Sequence, residues 1–270
     1  YQTIVSLQPR LRYYWDTGSW HLYSNAYADY ADKPGLSTGR RSQKQKEFFE
    51  KGIAFLERGV AQNPTDWRLA RLLGNALSTS WRPQNLERAV ECFWQGFAES
   101  GAPSLQRSYV YCLSRIPARK EEAWEQCREM WSTESNRRYN TPQTIFFALQ
   151  SWAGEEAYPR EQVLGSPRLA LQKLTDYWFR QVEGFPMDGV AEAIDTLCSE
   201  FEVPNHLNPL AFPPEKTFSH DPFTRKPHAI NPRTGEPREK KWRSIWMNRP
   251  RDTFRTHLRT TESDPKVIIP

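Results

Sequence analysis

Two runs of apolar residues between positions 64 and 103 constrain the fold of this chain more than any other feature of its sequence. Within each run, the apolar side chains recur at the i, i+3, i+4 and i+7 spacing of one helix face. A short polar break separates the runs, so the stretch predicts a hairpin of two amphipathic helices. Such a hairpin cannot bury its apolar face alone, and it needs neighbouring helices of the same kind. The first run contains Trp67, Leu69, Leu72, Leu73, Gly74, Ala76 and Leu77, and the second contains Leu86, Ala89, Val90, Phe93 and Phe97.

Five positions of this hairpin match the pattern of a known repeat. They are Trp67, Leu73, Gly74, Ala89 and Phe93, and a proline precedes each repeat. With these residues the hairpin resembles a tetratricopeptide (TPR) repeat. Gly74 and Ala89 are small where two helices must cross closely, and Leu73 and Phe93 fill the space beside them. The resemblance implies an α-solenoid of stacked hairpins whose first helices line a concave groove.

The same helical spacing recurs on both sides of the central hairpin. A repeat begins at Pro9, and we interpret its polar stretch at residues 32–45 as an inserted loop. A third hairpin occupies residues 105–131, and the central repeat differs from the family in a longer turn at residues 78–85. Further helices are predicted up to residue 200, so residues 1–200 form the predicted helical-repeat domain.

The composition changes after residue 200. Residues 201–270, which we call the arm, contain 11 of the 21 prolines, a density that excludes long helices. They also contain 13 Lys and Arg against eight Asp and Glu, so the arm carries +5 and residues 1–200 are balanced. Such a composition is typical of disordered segments, and we expect apolar anchors to hold the arm in place. The predicted fold is all-α, a TPR-like α-solenoid with a long, mostly irregular proline-rich arm at residues 201–270.

Sequence features narrow the chemistry as well as the fold. No apolar run is long enough to span a membrane, and no Gly-rich phosphate loop, nucleophile elbow or H-E-x-x-H motif occurs. We expect the four cysteines to be buried thiols, although a Cys92–Cys112 or Cys112–Cys127 bridge stays open. We therefore expect no catalytic centre, no cofactor and no metal site. The histidines of the arm are interpreted as loop residues; a metal site would require His206, His220 and His228 to converge with Asp221.

Two groups of residues are candidates for binding a partner. Arg68, Arg71 and Asn75 stand opposite the leucines of the first central helix, and the resemblance implies that this face lines the groove. Arg71 and Asn75 are similar to the pair with which some TPR proteins hold a peptide's terminal carboxylate. In the arm, Trp242 and Trp246 are interpreted as exposed anchors, surrounded by cations that attract an acidic partner. The alternative is that both rings pack back on the helical domain and that the arm is a structural strap. The candidate residues of the arm are Arg238, Lys240, Lys241, Trp242, Arg243, Trp246, Arg249, Arg251 and Arg255.

Three kinds of partner remain open for the basic arm. A protein is favoured, because aromatic and arginine side chains are typical anchors of protein interfaces. Nucleic acid is the alternative, with tryptophan stacking on bases. An anionic membrane surface is the third, reached through the arm or through an anchor missing from the N-terminus. The predicted function is a non-catalytic scaffold or structural subunit of a larger assembly. A nucleic-acid-associated helical-repeat protein is the alternative, and an enzyme whose site is assembled from scattered residues is the third reading. The sequence assigns no compartment.

Overall fold

A computed structural model describes residues 2–155, 157–180 and 184–248. The candidate residues Arg249, Arg251 and Arg255 lie outside these ranges. The described part of the protein is mostly helical, with 66% of its residues in helices and little sheet. The chain divides into two compact units, Tyr1–Leu149 and Gln150–Pro270. Over the described residues, no helix is both long and apolar enough to cross a membrane.

Pairs of packed helices build the first unit. A continuous helical stretch of α2, a π-helix and α3 packs against the long helix α4, and α5 to α8 follow as two further pairs. The predicted hairpins therefore exist as packed helices. The elements are α1 (Gln2–Leu7), α2 (Arg12–Trp20), the π-helix (His21–Ala26), α3 (Tyr27–Asp29), α4 (Thr38–Gln62), α5 (Trp67–Ser78), α6 (Leu86–Ser100), α7 (Pro103–Leu113), a 3₁₀-helix (Pro117–Arg119), α8 (Lys120–Ser132), α9 (Glu134–Arg137) and α10 (Asn140–Ala153), which continues into the second unit.

The central hairpin is formed by α5 and α6, and side-chain caps fix where each helix begins. The Asp66 carboxylate accepts the Arg68 N–H at 3.2 Å, and the Asn85 side chain accepts the Arg88 N–H at 3.0 Å. Each cap satisfies a backbone donor that lacks a partner within its helix. The helix boundaries predicted from the apolar spacing are thus confirmed to within a few residues.

The interface between α5 and α6 is closely packed around Phe93. Leu73 and Ala89 have no exposed surface, and Phe93 is 1% exposed. A Cβ atom added to Gly74 would lie 2.9 Å from the Phe93 ring, so the ring occupies the space that a side chain would need. The expectation that Leu73, Ala89 and Phe93 share one buried interface is confirmed.

The interpretation of residues 32–45 as an inserted loop is wrong for most of that stretch. Helix α4 begins at Thr38, and its first turns are polar because they are solvent-exposed. Ion pairs along the helix stabilise this part, with Glu47 2.7 Å from Lys44 and 2.6 Å from Lys51. The Lys44 and Lys51 ammonium groups lower the pKa of Glu47 to about 2. The polar composition of residues 38–45 therefore reflects an exposed helix surface and not a loop.

The four cysteines are free and buried, as expected, and no bridge joins Cys92 to Cys112 or Cys112 to Cys127. Burial raises the pKa of Cys92 and of Cys112 to about 11 in each case, so both are neutral thiols at pH 7. These side chains contribute to the helix interfaces as small apolar groups.

The second unit combines short helices with a small β-structure. Its helices α12 and α13 pack against each other, and α13 also contacts a 3₁₀-helix of the arm. This unit includes residues on both sides of the predicted boundary between residues 200 and 201. The elements are the end of α10, α11 (Arg160–Leu164), α12 (Pro167–Trp178), α13 (Val190–Glu200), two 3₁₀-helices (Asn205–Leu207 and Pro209–Ala211), β1 (Thr217–Phe218), β2 (Lys240–Lys241) and α14 (Trp242–Met247).

Three short segments of the arm pair with one another in a closed arrangement, which we call the β-triangle. Its segments are residues 217–220, 227–230 and 237–241. The first segment pairs with the third through β1 and β2, which are antiparallel. The second pairs with the first at His220 and Pro227, and with the third at Ile230 and Pro237. The described part of the arm therefore has more regular structure than its prolines predict. Pro222 and Pro232 lie within the turns, and Pro227 and Pro237 are the first residues of the second and third segments.

Two turns of the same design connect these segments. The sequences Asp-Pro-Phe-Thr-Arg-Lys-Pro and Asn-Pro-Arg-Thr-Gly-Glu-Pro begin ten residues apart, at Asp221 and Asn231. In each turn the first side chain accepts the N–H two residues later, at 2.8 Å from Asp221 and 3.0 Å from Asn231. The fifth residue adopts a positive φ in both turns, 60° at Arg225 and 73° at Gly235. Only the second turn has glycine at this position.

Trp242 and Trp246 lie in the interior of the second unit, with no exposed surface. The expectation that this pair is exposed is wrong. In the sequence, Trp242, Ile245 and Trp246 stand at the i, i+3 and i+4 spacing that favours a short helix. This helix is α14, and all three side chains are buried. The physical reason is that the rings of Phe212, Phe218 and Phe223 pack against Trp242 in the same unit. Their centroids lie 5.4, 5.8 and 5.9 Å from that of Trp242.

Candidate interaction surfaces

The polar face of α5 consists of Arg68, Arg71 and Asn75, and all three side chains are exposed. The sequence predicts that Arg71 and Asn75 do not pack between helices, and neither of them does. Both arginines lie over the ring of Trp67, with guanidinium carbons 4.6 Å and 5.5 Å from its centroid. Such stacking holds the cationic groups near the helix surface while leaving them accessible.

Helix α2 lies next to this face and carries a carboxylate. Arg12 of α2 forms an ion pair of 3.5 Å with Asp66, directly before α5. Burial raises the pKa of Asp16, while the nearby charges of Arg12 and Arg71 act in the opposite direction. The polar face of α5 therefore has a carboxylate of its own chain beside Arg71. This neighbour competes with a peptide carboxylate for the same guanidinium.

The long turn after α5 contributes two residues that the sequence analysis missed. Trp81 is 57% exposed, and the Arg82 guanidinium lies 3.7 Å from the centroid of its ring. Arg82 also donates a hydrogen bond to the Ser24 hydroxyl at 3.0 Å and lies over the Tyr23 ring. Burial raises the pKa of Tyr23 and lowers that of Arg82. The unusual length of the turn was the signal in the sequence that could have identified these residues.

The described cations of the arm lie at the surface of the β-triangle and α14. Arg238, Lys240, Lys241 and Arg243 are all exposed. Lys241 forms an ion pair with Glu215 and lowers the pKa of that carboxyl. Within the described ranges, the other three cations have no ion-pair partner. The same segment therefore displays free cations on one side and buries its aromatic rings on the other.

Hydrogen bonds fix the two tryptophans that hold this segment. The Trp242 indole N–H donates to the Pro209 carbonyl at 3.0 Å, and the Trp246 indole N–H donates to the Leu207 carbonyl at 3.0 Å. A buried indole requires such a partner, because an unpaired N–H would be costly. Neither ring is available to stack on a base or to enter a partner's pocket in this structure.

Among the described residues, His206, His220 and His228 do not converge with Asp221 into a metal site. No group of three or more His, Cys, Asp or Glu residues suited to a metal ion occurs among the described residues. His206 is exposed in a 3₁₀-helix, and the His220 ring contacts the Ser219 hydroxyl at 3.0 Å. His228 alone is buried.

No protein family, curated protein or solved structure matches this chain. The resemblance to TPR repeats therefore rests on the residues of the chain itself.

Proposed function

We propose that this protein is a non-catalytic scaffold or structural subunit that contacts an acidic protein partner within a larger assembly. The proposal combines a TPR-like α-solenoid with a basic C-terminal arm that docks the partner. The observation that carries it is the display of unpaired, exposed cations on a folded part of the arm. This display is fixed by buried tryptophans and not by a partner.

Fixing the cations before binding reduces the cost of association. Each flexible side chain or loop residue ordered at an interface costs roughly 0.5–1.5 kcal/mol. The turns at Asp221 and Asn231 and the indole hydrogen bonds of Trp242 and Trp246 already order the backbone that carries Arg238, Lys240 and Arg243. Cations arranged in this way accelerate encounter with an acidic surface and discriminate against basic ones. Three further candidate cations, Arg249, Arg251 and Arg255, follow in the sequence.

The polar face of α5 is proposed as a second contact. Arg68 and Arg71 are exposed and supported by Trp67, and Asn75 adds an amide that can donate and accept hydrogen bonds. The presence of Asp16 beside Arg71 supports a side-chain or backbone contact more than capture of a terminal carboxylate. This face is therefore assigned a supporting role.

An acidic protein is favoured over nucleic acid because the arm offers no exposed tryptophan in its described part. Single-stranded nucleic acids are held by stacking as well as by phosphate contacts. Binding through phosphate contacts alone would make affinity fall steeply with salt. Salt weakens charge contacts with an acidic protein as well, so the chemical identity of the purified partner separates the two kinds of partner.

The test is a comparison of two charge-reversal variants in partner binding. The first variant combines Arg238→Glu, Lys240→Glu and Arg243→Glu. The matched control reverses three exposed cations of the first unit, Arg10, Arg40 and Arg58. Partners are identified by affinity purification with mass spectrometry, and the purified pair is then measured by titration calorimetry.

The arm variant is expected to lose affinity by roughly tenfold or more, while the control binds as the wild-type chain does. Equal losses in both variants would reject the arm as the docking surface. A partner that proves to be RNA or DNA, with affinity falling steeply with salt, would replace the scaffold proposal with the nucleic-acid alternative.

A further inference from the structure

His228 is a buried titratable residue at the middle of the β-triangle, and the proposed function makes no use of it. Its side chain is 8% exposed, and its Nε2 atom is buried without a hydrogen-bond partner among the described residues. A neutral imidazole tolerates this position because it can carry its single proton on Nδ1. An imidazolium carries protons on both nitrogens, so it would bury an unpaired charged N–H, which is costly.

The backbone around His228 is part of the closed strand pairing. The His228 N–H donates to the Ser219 carbonyl at 3.0 Å, and the Arg238 N–H donates to the Ala229 carbonyl at 3.0 Å. The Trp242 N–H donates to the Lys216 carbonyl at 2.6 Å and completes the pairing of the outer segments. The second segment thus joins the other two, and its displacement would open the triangle.

The charged and titratable groups that act on His228 come from both neighbouring segments. Lys240 belongs to the third segment, while His220 and Asp221 belong to the end of the first segment and its turn. Lys240 and His220 oppose a second positive charge, and Asp221 favours one. The Asp221 carboxylate is already engaged, because it accepts the N–H groups of Phe223 and Thr224 at 2.8 and 3.1 Å.

From this arrangement we infer that His228 is an acid-sensitive latch: protonation of its imidazole opens the β-triangle and loosens the arm from its tryptophan anchors. The inference does not depend on the proposed function. It requires only that the chain meets mildly acidic conditions, in which an ordinary histidine becomes charged.

The sign of the effect follows from proton linkage. Burial, followed by the charge of Lys240, lowers the pKa of His228 in the folded chain. The unfolded segment therefore binds the proton more readily than the folded one. The stability that neutral His228 contributes is fully present above the ordinary histidine pKa of about 6.5. It is lost as the pH falls from there toward the lowered pKa of the folded state.

The experiment is amide hydrogen exchange of the intact chain, measured by NMR between pH 7.5 and pH 5.0. Exchange rates are converted into protection factors, which removes the intrinsic pH dependence of exchange. The amides of His228, Arg238 and Trp242 are expected to lose up to about tenfold in protection per pH unit below about pH 6.5. The amides of the α5–α6 hairpin serve as an internal reference and are expected to stay constant.

Three variants assign the effect to His228. His228→Leu removes the titrating group and is expected to abolish the pH dependence. Lys240→Gln leaves His228 in place but removes a repelling charge, so the total loss of protection at pH 5.0 should be smaller. This second variant keeps the test valid if His228→Leu does not fold. His206→Gln, at an exposed histidine of the same unit, is the matched control and should reproduce the wild-type profile.

Four results at the amides of the β-triangle would overturn the inference. They are constant protection of the wild-type chain down to pH 5.0, an unchanged loss in His228→Leu, an unchanged loss in Lys240→Gln, and a flat profile in His206→Gln. An equal loss of protection in the α5–α6 hairpin would also overturn it, because the effect would then not be local to the β-triangle.

Discussion

Phe93 of the α5–α6 hairpin and Trp242 of the arm are both buried aromatic residues, but different features of the sequence cause their burial. Phe93 lies on a helix face whose apolar residues repeat regularly, and Gly74 opposite it lies on another such face. The Trp242 indole donates a hydrogen bond to the carbonyl of Pro209, 33 residues earlier, and the aromatic residues around its ring follow no sequence repeat. Two turns and three short segments bring Trp242 and these residues together. Burial in the hairpin thus depends on local periodicity, whereas burial in the arm depends on non-local pairing.

The largest expected effect comes from Trp242→Ala. The substitution removes a fully buried ring and leaves the Pro209 carbonyl without its donor, so we expect a loss of about 5 kcal/mol. Hydrogen exchange should show this loss of stability as lower amide protection in residues 207–247. Trp81→Ala is the matched control, since Trp81 is exposed, and should change stability by less than about 0.5 kcal/mol. Similar small losses in both variants would show that the aromatic cluster does not hold the arm.

Phe93→Ala tests the α5–α6 hairpin, where burial depends on local periodicity. It creates a cavity between α5 and α6, and we expect unfolding in denaturant to show a loss of about 3–5 kcal/mol. The effect should appear in the protection of α5 and α6 amides. A loss well below about 1 kcal/mol would mean that the hairpin does not depend on this interface.

Gly74→Ala sharpens the account of the same interface. The added Cβ meets the Phe93 ring at 2.9 Å, so overpacking should outweigh the better helix propensity of alanine. We expect a net loss of about 1–2 kcal/mol in thermal or denaturant unfolding. Gly39→Ala is the control, because nothing lies within 4 Å of its added Cβ. That variant should gain up to about 1 kcal/mol. A stabilised Gly74→Ala protein would contradict the close packing.

The smallest effect is expected in the turns of the β-triangle. Arg225 adopts the left-handed φ that Gly235 adopts in the matching turn, and a side chain makes this conformation costly. Arg225→Gly should therefore stabilise the β-triangle by about 1 kcal/mol, while Gly235→Arg should destabilise it by a similar amount. Protection of the Asp221 and Asn231 amides against hydrogen exchange measures the stability change in both variants. Changes of the same sign in the two variants would refute the equivalence of the turns.

The candidate sites were predictable to different extents. The exposure of Arg68, Arg71 and Asn75 could be predicted, because their position opposite the leucines follows from helix geometry. The part played by Trp81 and Arg82 could not, because it depends on how a long turn folds against Tyr23 and Ser24. The burial of the arm's tryptophans was mispredicted, since their ring partners are scattered through proline-rich sequence.

The sequence by itself determined the helices and caps of the α5–α6 hairpin, because the 3.6-residue repeat and the caps are properties of neighbouring residues. It also determined the short helix at Trp242 and the absence of long helices in residues 201–248 of the arm. Only the tertiary structure decided that residues 38–45 extend α4 as an exposed helix. It alone decided that Trp242 and Trp246 face inward and that His228 is buried in a closed pairing of three segments. These outcomes depend on contacts between residues far apart in the chain, and no local spacing encodes which of those contacts form.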